Sequence, residues 1–258
     1  MLRIHNSRRF TLRNVSLVDS PFWTVVPTYS EGIVVAFVNI TASTTSPNTD
    51  GVEPMWSRDV HIHDVAIVNG DDCITVKSGT SNVLAERITC RGSHGITVGS
   101  VWYDDVVNVT YRDVILTDCH AGPRIKGRSQ GNATVRDILF KNIEVRGSVE
   151  TVVQIDMLYE TPGSTHPSAG VLARNCTFEN VTYVHTDTLN STHRRSTAAR
   201  AVVAASLECC EERPCDDGSI TFRGLHARNA KGGWKCSHVL IAADGANEPT
   251  PGASCTGK

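Results

Sequence analysis

Residues 113–116, Asp-Val-Ile-Leu, and residues 142–145, Asn-Ile-Glu-Val, are two copies of the element that decides the fold: a small polar residue or arginine followed by alternating apolar residues. Further copies lie at residues 14–17, 39–40, 64–67, 87–88, 180–181 and, weakly, 224–225. The first apolar anchors, which are Val15, Ile40, Val65, Ile88, Val114 and Ile143, are 25, 25, 23, 26 and 29 residues apart. A period of this length with strand-type alternation indicates a repeat architecture.

The repeat predicts an all-β fold, a single-stranded right-handed parallel β-helix in which successive segments stack as coils of one solenoid. A β-sandwich or a propeller would also contain many short strands. A sandwich needs tight hairpin turns, however, and no Asn-Gly or Asp-Gly pair separates two strands at hairpin spacing in this chain.

One domain is expected over residues 1–258, because no linker-like change of composition divides the chain. We expect coils over residues 3–230, surface excursions at residues 162–167 and 190–195, and a tail at residues 236–258 that wraps the last coil. Residues 3–18 already follow the coil pattern and no signal peptide follows Met1. We therefore expect N-terminal coils and the cap that covers a solenoid's first edge to be missing.

Composition limits the partners. A formal net charge of -2 argues against nucleic acid, because phosphate binding needs a basic field. Apolar runs stay far below the roughly 20 residues of a membrane-spanning helix, so no membrane partner is expected. Nine cysteines and seven Asn-X-Ser/Thr sequons indicate a secreted, extracellular protein, which we expect to be a monomer. The sequons lie at Asn14, Asn39, Asn108, Asn132, Asn175, Asn180 and Asn190.

Four polar clusters recur at nearly the same phase of the repeat: residues 48–50 (Asn-Thr-Asp), 71–72 (Asp-Asp), 93–95 (Ser-His-Gly) and 124–126 (Arg-Ile-Lys). Neighbouring coils lie roughly 4.8 Å apart, so the clusters would form one column. Three carboxylates in such a column cannot all be ionised comfortably, and one becomes a proton donor while another stays a base. Glycoside hydrolysis needs this division of roles.

The fourth cluster supplies positive charge. Strand alternation places Arg124 and Lys126 on one face, where they suit the carboxylate of an acidic polysaccharide. Taken singly, each cluster is more typical of a turn or a solvated strand edge, and only their common phase favours a site. His61 and His63 also share a strand face, but an outward polar face is the simpler interpretation, so no metal and no cofactor are expected.

The clusters belong to four blocks that resemble the signature blocks of polygalacturonases, glycoside hydrolase family 28. The blocks are residues 46–51, 70–73, 92–96 with 99–100, and 124–127. The resemblance covers residues 20–159 in order. It implies a pectin-lyase-like solenoid and an inverting hydrolase of α-1,4-galacturonosidic bonds in pectin. A coil spacing of about 5 Å would by itself suggest retention instead.

The resemblance assigns roles to eight residues. The catalytic ones are Asp50, Asp71, Asp72 and His94, and the substrate-binding ones are Asn48, Arg124, Lys126 and Tyr159. Asp71 would be the general acid, supported by His94, while the other two aspartates activate the water. Endo-acting members usually carry Gly-His-Gly where this chain has Ser93-His94-Gly95, and the Gly-Ser-His-Gly form is similar to that of exo-acting members. Exo action is therefore expected.

Three disulfides are expected. A bridge between Cys73 and Cys90 would join two catalytic coils, with a stabilisation of roughly 3 kcal/mol, and the resemblance supports it. The C-terminal pairs are Cys210–Cys215, with Cys209 as the alternative to Cys210, and Cys236–Cys255. Cys119 and Cys176 receive no assignment.

Other functions stay open on the sequence alone. A related β-helix hydrolase could act on xylogalacturonan or rhamnogalacturonan, and an inactive β-helix could only bind pectin. A calcium-dependent pectate lyase is disfavoured, because the column mixes aspartates with a histidine instead of forming a carboxylate-rich calcium site.

Overall fold

The computed structural model describes residues 1–159, 170–185 and 201–256, so the excursions expected at residues 162–167 and 190–195 lie outside the described residues. Strands dominate the described chain, with one short helix, α1, at Ala253–Thr256. The strands are β1 Leu2–His5, β2 Thr11–Val18, β3 Val25–Thr28, β4 Glu31–Thr41, β5 Arg58–Val68, β6 Ile74–Val76, β7 Ser81–Arg91, β8 Ile96–Val101, β9 Val106–Thr117, β10 Pro123–Arg128, β11 Thr134–Arg146, β12 Thr151–Tyr159, β13 Leu172–Val184, β14 Val203–Glu208, β15 Cys215–His226, β16 Trp234–Ser237 and β17 Val239–Ala243. No helix among these residues is long and apolar enough to span a membrane.

The strands form stacked parallel sheets. The short sheet has the order β16-β14-β12-β10-β8-β6, and the long sheet has the order β17-β15-β13-β11-β9-β7-β5-β4-β2. A two-stranded sheet of β1 and β3 continues the short sheet through bridges from Val25 to Val52 and from Val52 to Ile74. Since the chain alternates between the two large sheets, each turn adds one coil, and the predicted parallel β-helix is confirmed.

In all but one of the repeat copies, the residue that opens the copy marks a bend in the long sheet. Asp64 and Asp113 have φ angles of 54° and 57°, and Asn142 has 54°. Aspartate and asparagine tolerate this left-handed conformation better than most residues. The bend shifts the alternation by one residue, as in β5, where residues 60 and 62 are buried before it and residues 65 and 67 after it.

The interior is filled by columns of apolar side chains in register. Tyr111, Phe140, Phe178 and Phe222 stack in successive coils, with ring centroids 5.2, 5.0 and 4.9 Å apart and ring planes within 14° of parallel. All four side chains are fully buried. Offset stacking of this kind stabilises beyond the burial of area alone, so this column fixes the later coils.

The C-terminal part differs from the expectation. Strands β16 and β17 lie within or beside the segment expected to be a tail, and they pair with β14 and β15. The expectation that coils end at residue 230 is therefore wrong, and coil structure continues to Ala243. Beyond it the chain wraps back and is held by a disulfide between Cys236 and Cys255.

Two further disulfides join Cys73 to Cys90 and Cys209 to Cys215. The pairing of Cys210 with Cys215 is wrong. Neighbouring residues of an extended chain point to opposite sides, and Cys210 lies on the other side, where its Sγ is 3.3 Å from the carbonyl oxygen of Met157. Among the described residues, the free cysteines are Cys119, Cys176 and Cys210, all buried.

Candidate active site

The four polar clusters meet at the short sheet. Residues 71–72 and residue 94 are each separated by one residue from the strand that follows, β6 and β8 respectively. Arg124 and Lys126 lie in β10 in register with Thr97 and Gly99 of β8. A cavity of about 410 Å³ lies beside them. Six of the eight residues assigned from sequence line it, namely Asn48, Asp50, Asp71, Asp72, Lys126 and Tyr159. His94 and Arg124 do not line the cavity, but each lies within 3.5 Å of one of its aspartates.

Asp71 is held by hydrogen bonds on both carboxylate oxygens. Oδ1 accepts the N–H of Asp72 at 2.8 Å and lies 3.1 Å from Nδ1 of His94, while Oδ2 accepts the N–H of Asn48 at 2.9 Å. Burial raises the pKa of Asp71, but the bonds from His94 and Asn48 outweigh it and leave the pKa below its ordinary value. The bend that presents Asp71 needs Gly70, since a Cβ there would lie 2.3 Å from the carbonyl oxygen of Ser46.

Asp72 is the buried anchor of the site. Its Oδ2 lies 2.7 Å from Nζ of Lys126, and its Oδ1 accepts the hydroxyl of Thr97 at 2.9 Å and lies 3.5 Å from Nη1 of Arg124. Burial by itself raises the pKa of Asp72, but Lys126, Arg124 and Lys77 together hold it well below its ordinary value. Asp72 is therefore ionised at any physiological pH, and the two cations of β10 are oriented by it.

Asp50 and Glu53 form a second, differently charged pair. Burial raises the pKa of Asp50 to about 8 and that of Glu53 to about 7, and Lys77 opposes both shifts. Glu53 is fully buried, with Nζ of Lys77 3.9 Å from its Oε1. Neither oxygen of Glu53 has a hydrogen-bond donor among the described residues while both acids are ionised. Asp50 can donate a hydrogen bond to Glu53 only if Asp50 itself holds a proton. Asp50 and Glu53 therefore share a proton near neutral pH.

One wall of the cavity consists of cationic and aromatic side chains. The Nζ of Lys126 lies 5.1 Å from the ring centroid of Tyr159. The guanidinium of Arg128 lies 5.1 Å from the same centroid and 5.6 Å from that of Trp102. Tyr159 is thus placed by cation–π contacts next to the cations that face the aspartates.

Sequence reasoning missed several residues of the cavity wall, chiefly Glu53, Lys77, Arg128, Trp56 and Trp102. The signal for Glu53 is an acid within the apolar stretch of residues 51–54, whose residues are all buried. Lys77 directly follows β6, at the strand end opposite Asp72. Both would have been found by asking which charged residues continue the buried strands.

Ser93 does not face the cavity. It is fully buried, its Oγ lies 3.2 Å from Sγ of Cys119, and it accepts the N–H of Gly95 at 3.1 Å. The residue that distinguishes the third block therefore acts on the site only through the backbone around His94.

Asp71, Asp72 and His94 also place three ligand-type atoms within 4.8 Å of one another. Lys126 and Arg124 already neutralise Asp72 and repel a divalent cation. The charges in this cluster fit carboxylate chemistry better than metal binding.

Comparisons with known proteins bear on the family of this chain. The family model described as Glycosyl hydrolases family 28 matches residues 1–244. A polygalacturonase of Cryptomeria japonica is 29% identical over 246 residues, which are 90% of this chain and 45% of that protein. An exopolygalacturonase of Arabidopsis thaliana is 28% identical over 242 residues, which are 92% of this chain and 53% of that protein.

Among solved structures, the polygalacturonase from Erwinia carotovora ssp. carotovora is similar over 93% of this chain and 58% of its own, with a TM-score of 0.72 and 27% identity. The chain spans about half the length of the curated relatives it matches.

Proposed function

The chain belongs to glycosyl hydrolases family 28, and we propose that it hydrolyses the α-1,4-galacturonosidic bonds of pectin and polygalacturonate. The observation that carries the proposal is the carboxylate pair beside the cavity, in which Asp71 contacts His94 while Asp72 is ion-paired with Lys126. A fixed ammonium with a guanidinium beside it suits a substrate whose sugars carry carboxylates.

Asp71 is the proposed general acid. Its side chain is 18% exposed, against 1% for Asp72, and Asp50 is buried as well. A proton donor has to reach the leaving oxygen of the substrate, so the greater exposure of the Asp71 side chain favours Asp71 as the general acid. Asp50 and Asp72 then activate the water that attacks the anomeric carbon with inversion.

Substrate recognition is proposed for the remaining assigned residues. Lys126 and Arg124 bind the carboxylate of the galacturonate at the cleavage position. Tyr159 and Asn48 flank this position on its two sides. His94 positions Asp71 through their 3.1 Å contact.

This assignment has a consequence for pH. Turnover needs Asp71 protonated and Asp50 ionised, whereas in the free protein Asp50 holds its proton more tightly. Removal of water by the bound saccharide raises the pKa of Asp71 and favours the productive arrangement. Asp50 and Asp71 together must carry one proton for turnover. The kcat/KM should therefore fall above a pH of about 8, where Asp50 loses that proton, and below the lowered pKa of Asp71, where both aspartates are protonated.

Exo action, secretion and a monomeric state are further parts of the proposal. Exo action is supported by the Ser93-His94-Gly95 form of the third block, and secretion by three disulfides.

Time-resolved chromatography of products from polygalacturonate tests the proposal. Saturated galacturonate monomer as the sole early product supports exo hydrolysis, whereas a ladder of oligomers shows endo hydrolysis. Products that absorb in the ultraviolet through a new double bond identify a lyase, and no release of reducing sugar at any pH between 4 and 8 contradicts the proposed activity.

A further inference from the structure

Aromatic residues form the wall of the cavity at the ends of the short-sheet strands. Three of the chain's four tryptophans, Trp23, Trp56 and Trp102, line this cavity together with Tyr103. Trp56 and Trp102 are each 39% exposed and Tyr103 is 60% exposed. A contiguous exposed apolar patch is more often a binding surface than a single exposed residue is, and pyranose rings offer an apolar face of matching size.

Trp56 is held rigidly in this wall. Its Nε1 donates to Oδ2 of Asp104 at 2.9 Å, and its ring stacks on Tyr29 with centroids 5.0 Å apart and planes 5° from parallel. Gly79 makes room for it, since a Cβ there would lie 2.3 Å from Cδ1 of Trp56. A ring fixed by Tyr29 on one face and by Asp104 at its Nε1 edge loses little entropy when a ligand stacks on it.

Trp102 and Tyr103 continue the wall from the next coil. The N–H of Trp102 donates to Oγ of Ser78 at 3.0 Å, and its ring stacks on Tyr103 with centroids 5.2 Å apart. The guanidinium of Arg128 lies 5.6 Å from the Trp102 centroid. Trp102 therefore marks the border between a cationic part and an aromatic part of the cavity.

Charge divides these two parts. Lys126 and Arg128 lie on the Tyr159 side, whereas the charged group in contact with Trp56 is the carboxylate of Asp104. Trp56 uses one oxygen of Asp104, and the other can accept a sugar hydroxyl. The same charge repels the carboxylate of a galacturonate that approaches Trp56.

We propose that Trp56, Tyr103 and Asp104 form a subsite for an uncharged pyranose ring of the polysaccharide, stacked on the aromatic rings. This inference rests on the proposed function and names its substrate class: galacturonan that carries uncharged rings. Such a ring can be a neutral branch sugar or a methyl-esterified galacturonate, since both lack the repelled carboxylate.

The test compares kcat/KM on three substrates: polygalacturonate, methyl-esterified homogalacturonan and xylogalacturonan. Trp56→Ala and Tyr103→Ala should each lower kcat/KM by about tenfold on one or both uncharged substrates and leave polygalacturonate within about twofold. The uncharged substrate that responds identifies the source of the ring. Asp104→Asn, which can still accept the Trp56 N–H, should raise kcat/KM on polygalacturonate by about threefold and on no other substrate.

Phe37→Ala is the matched control, because Phe37 is an exposed aromatic residue of β4 that does not line the cavity. Equal losses on all three substrates, or no loss in either aromatic variant, would overturn the subsite. If the protein binds these polysaccharides without cleaving them, the same variants are compared by calorimetric affinity, and the same pattern supports the subsite while the proposed hydrolysis fails. Absence of both binding and cleavage overturns both proposals.

Discussion

Replacing Asp50 by asparagine separates the electrostatics of the site from its chemistry. Burial raises the pKa of Asp50 from 3.8 to about 8. Between these values the folded protein keeps a proton that the unfolded chain releases, so a rise in pH favours unfolding. One pKa unit corresponds to about 1.4 kcal/mol, which makes the window worth up to roughly 6 kcal/mol of unfolding free energy.

The other acids of the site do not mask this effect. Asp71 and Asp72 have lowered pKa values, so their stabilisation is complete above their ordinary value and is lost only as the pH falls through the folded values. Glu53, with a pKa of about 7, acts in the same direction as Asp50. Among the carboxylates with a raised pKa, this interval from pH 4.5 to 8 therefore reports on Asp50 and Glu53, together with Asp156, whose pKa burial also raises.

Urea unfolding followed by tryptophan fluorescence across this interval is the assay. The wild-type midpoint should fall as the pH rises, and Asp50→Asn should remove most of that slope. Asp113→Asn, at an exposed aspartate of β9, should keep the wild-type slope. A wild-type midpoint that rises with pH, or a full slope in Asp50→Asn, would refute the reasoning.

Other perturbations have equally definite outcomes. Lys77→Met should move the basic limb of the kcat/KM profile to higher pH by about one unit and Glu53→Gln should move it to lower pH, since the charge of Lys77 lowers the pKa of Asp50 and that of Glu53 raises it; shifts of the same sign would contradict this. Replacing Cys73 and Cys90 by alanine should lower stability by about 3 kcal/mol, measured as a lower urea midpoint, and an unchanged midpoint would exclude a structural bridge. Phe178→Ala should cost about 3–5 kcal/mol because the ring is the centre of the aromatic column, and a loss below 1 kcal/mol in the same assay would show that the column relaxes.

The repeat could be predicted from sequence because each coil repeats one physical requirement, a residue that tolerates a left-handed bend followed by inward apolar residues. The second anchor shows where this fails. Val15 pairs with Val38, and Val38 with Val65, so Ile40 is two residues from the true register. In that coil the bend is at Phe37, with a φ of 54°, and Asn39 is a false marker. An error of two residues in the register keeps the same face of the strand inward, so the predicted fold stays the same.

The column of polar clusters was likewise predictable, because equivalent positions of neighbouring coils become neighbours in space. Contacts that cross coils at other phases leave no such trace. Trp56 donates a hydrogen bond to Asp104, which is 48 residues later in the sequence. Glu53 lies 3.9 Å from Lys77, which follows β6 at the end of the strand away from Asp72. The choice between Cys209 and Cys210 failed for a related reason: both are buried, and only the direction of the side chain decides.

The most direct test of the central claim measures the release of reducing sugar from polygalacturonate by the wild-type protein and by Asp71→Asn, together with their affinities for the same substrate. The proposed mechanism predicts that Asp71→Asn loses at least about a hundredfold in rate, in the range that a general acid supplies, and binds within about threefold of the wild type. An Asp71→Asn rate equal to that of the wild type would contradict it.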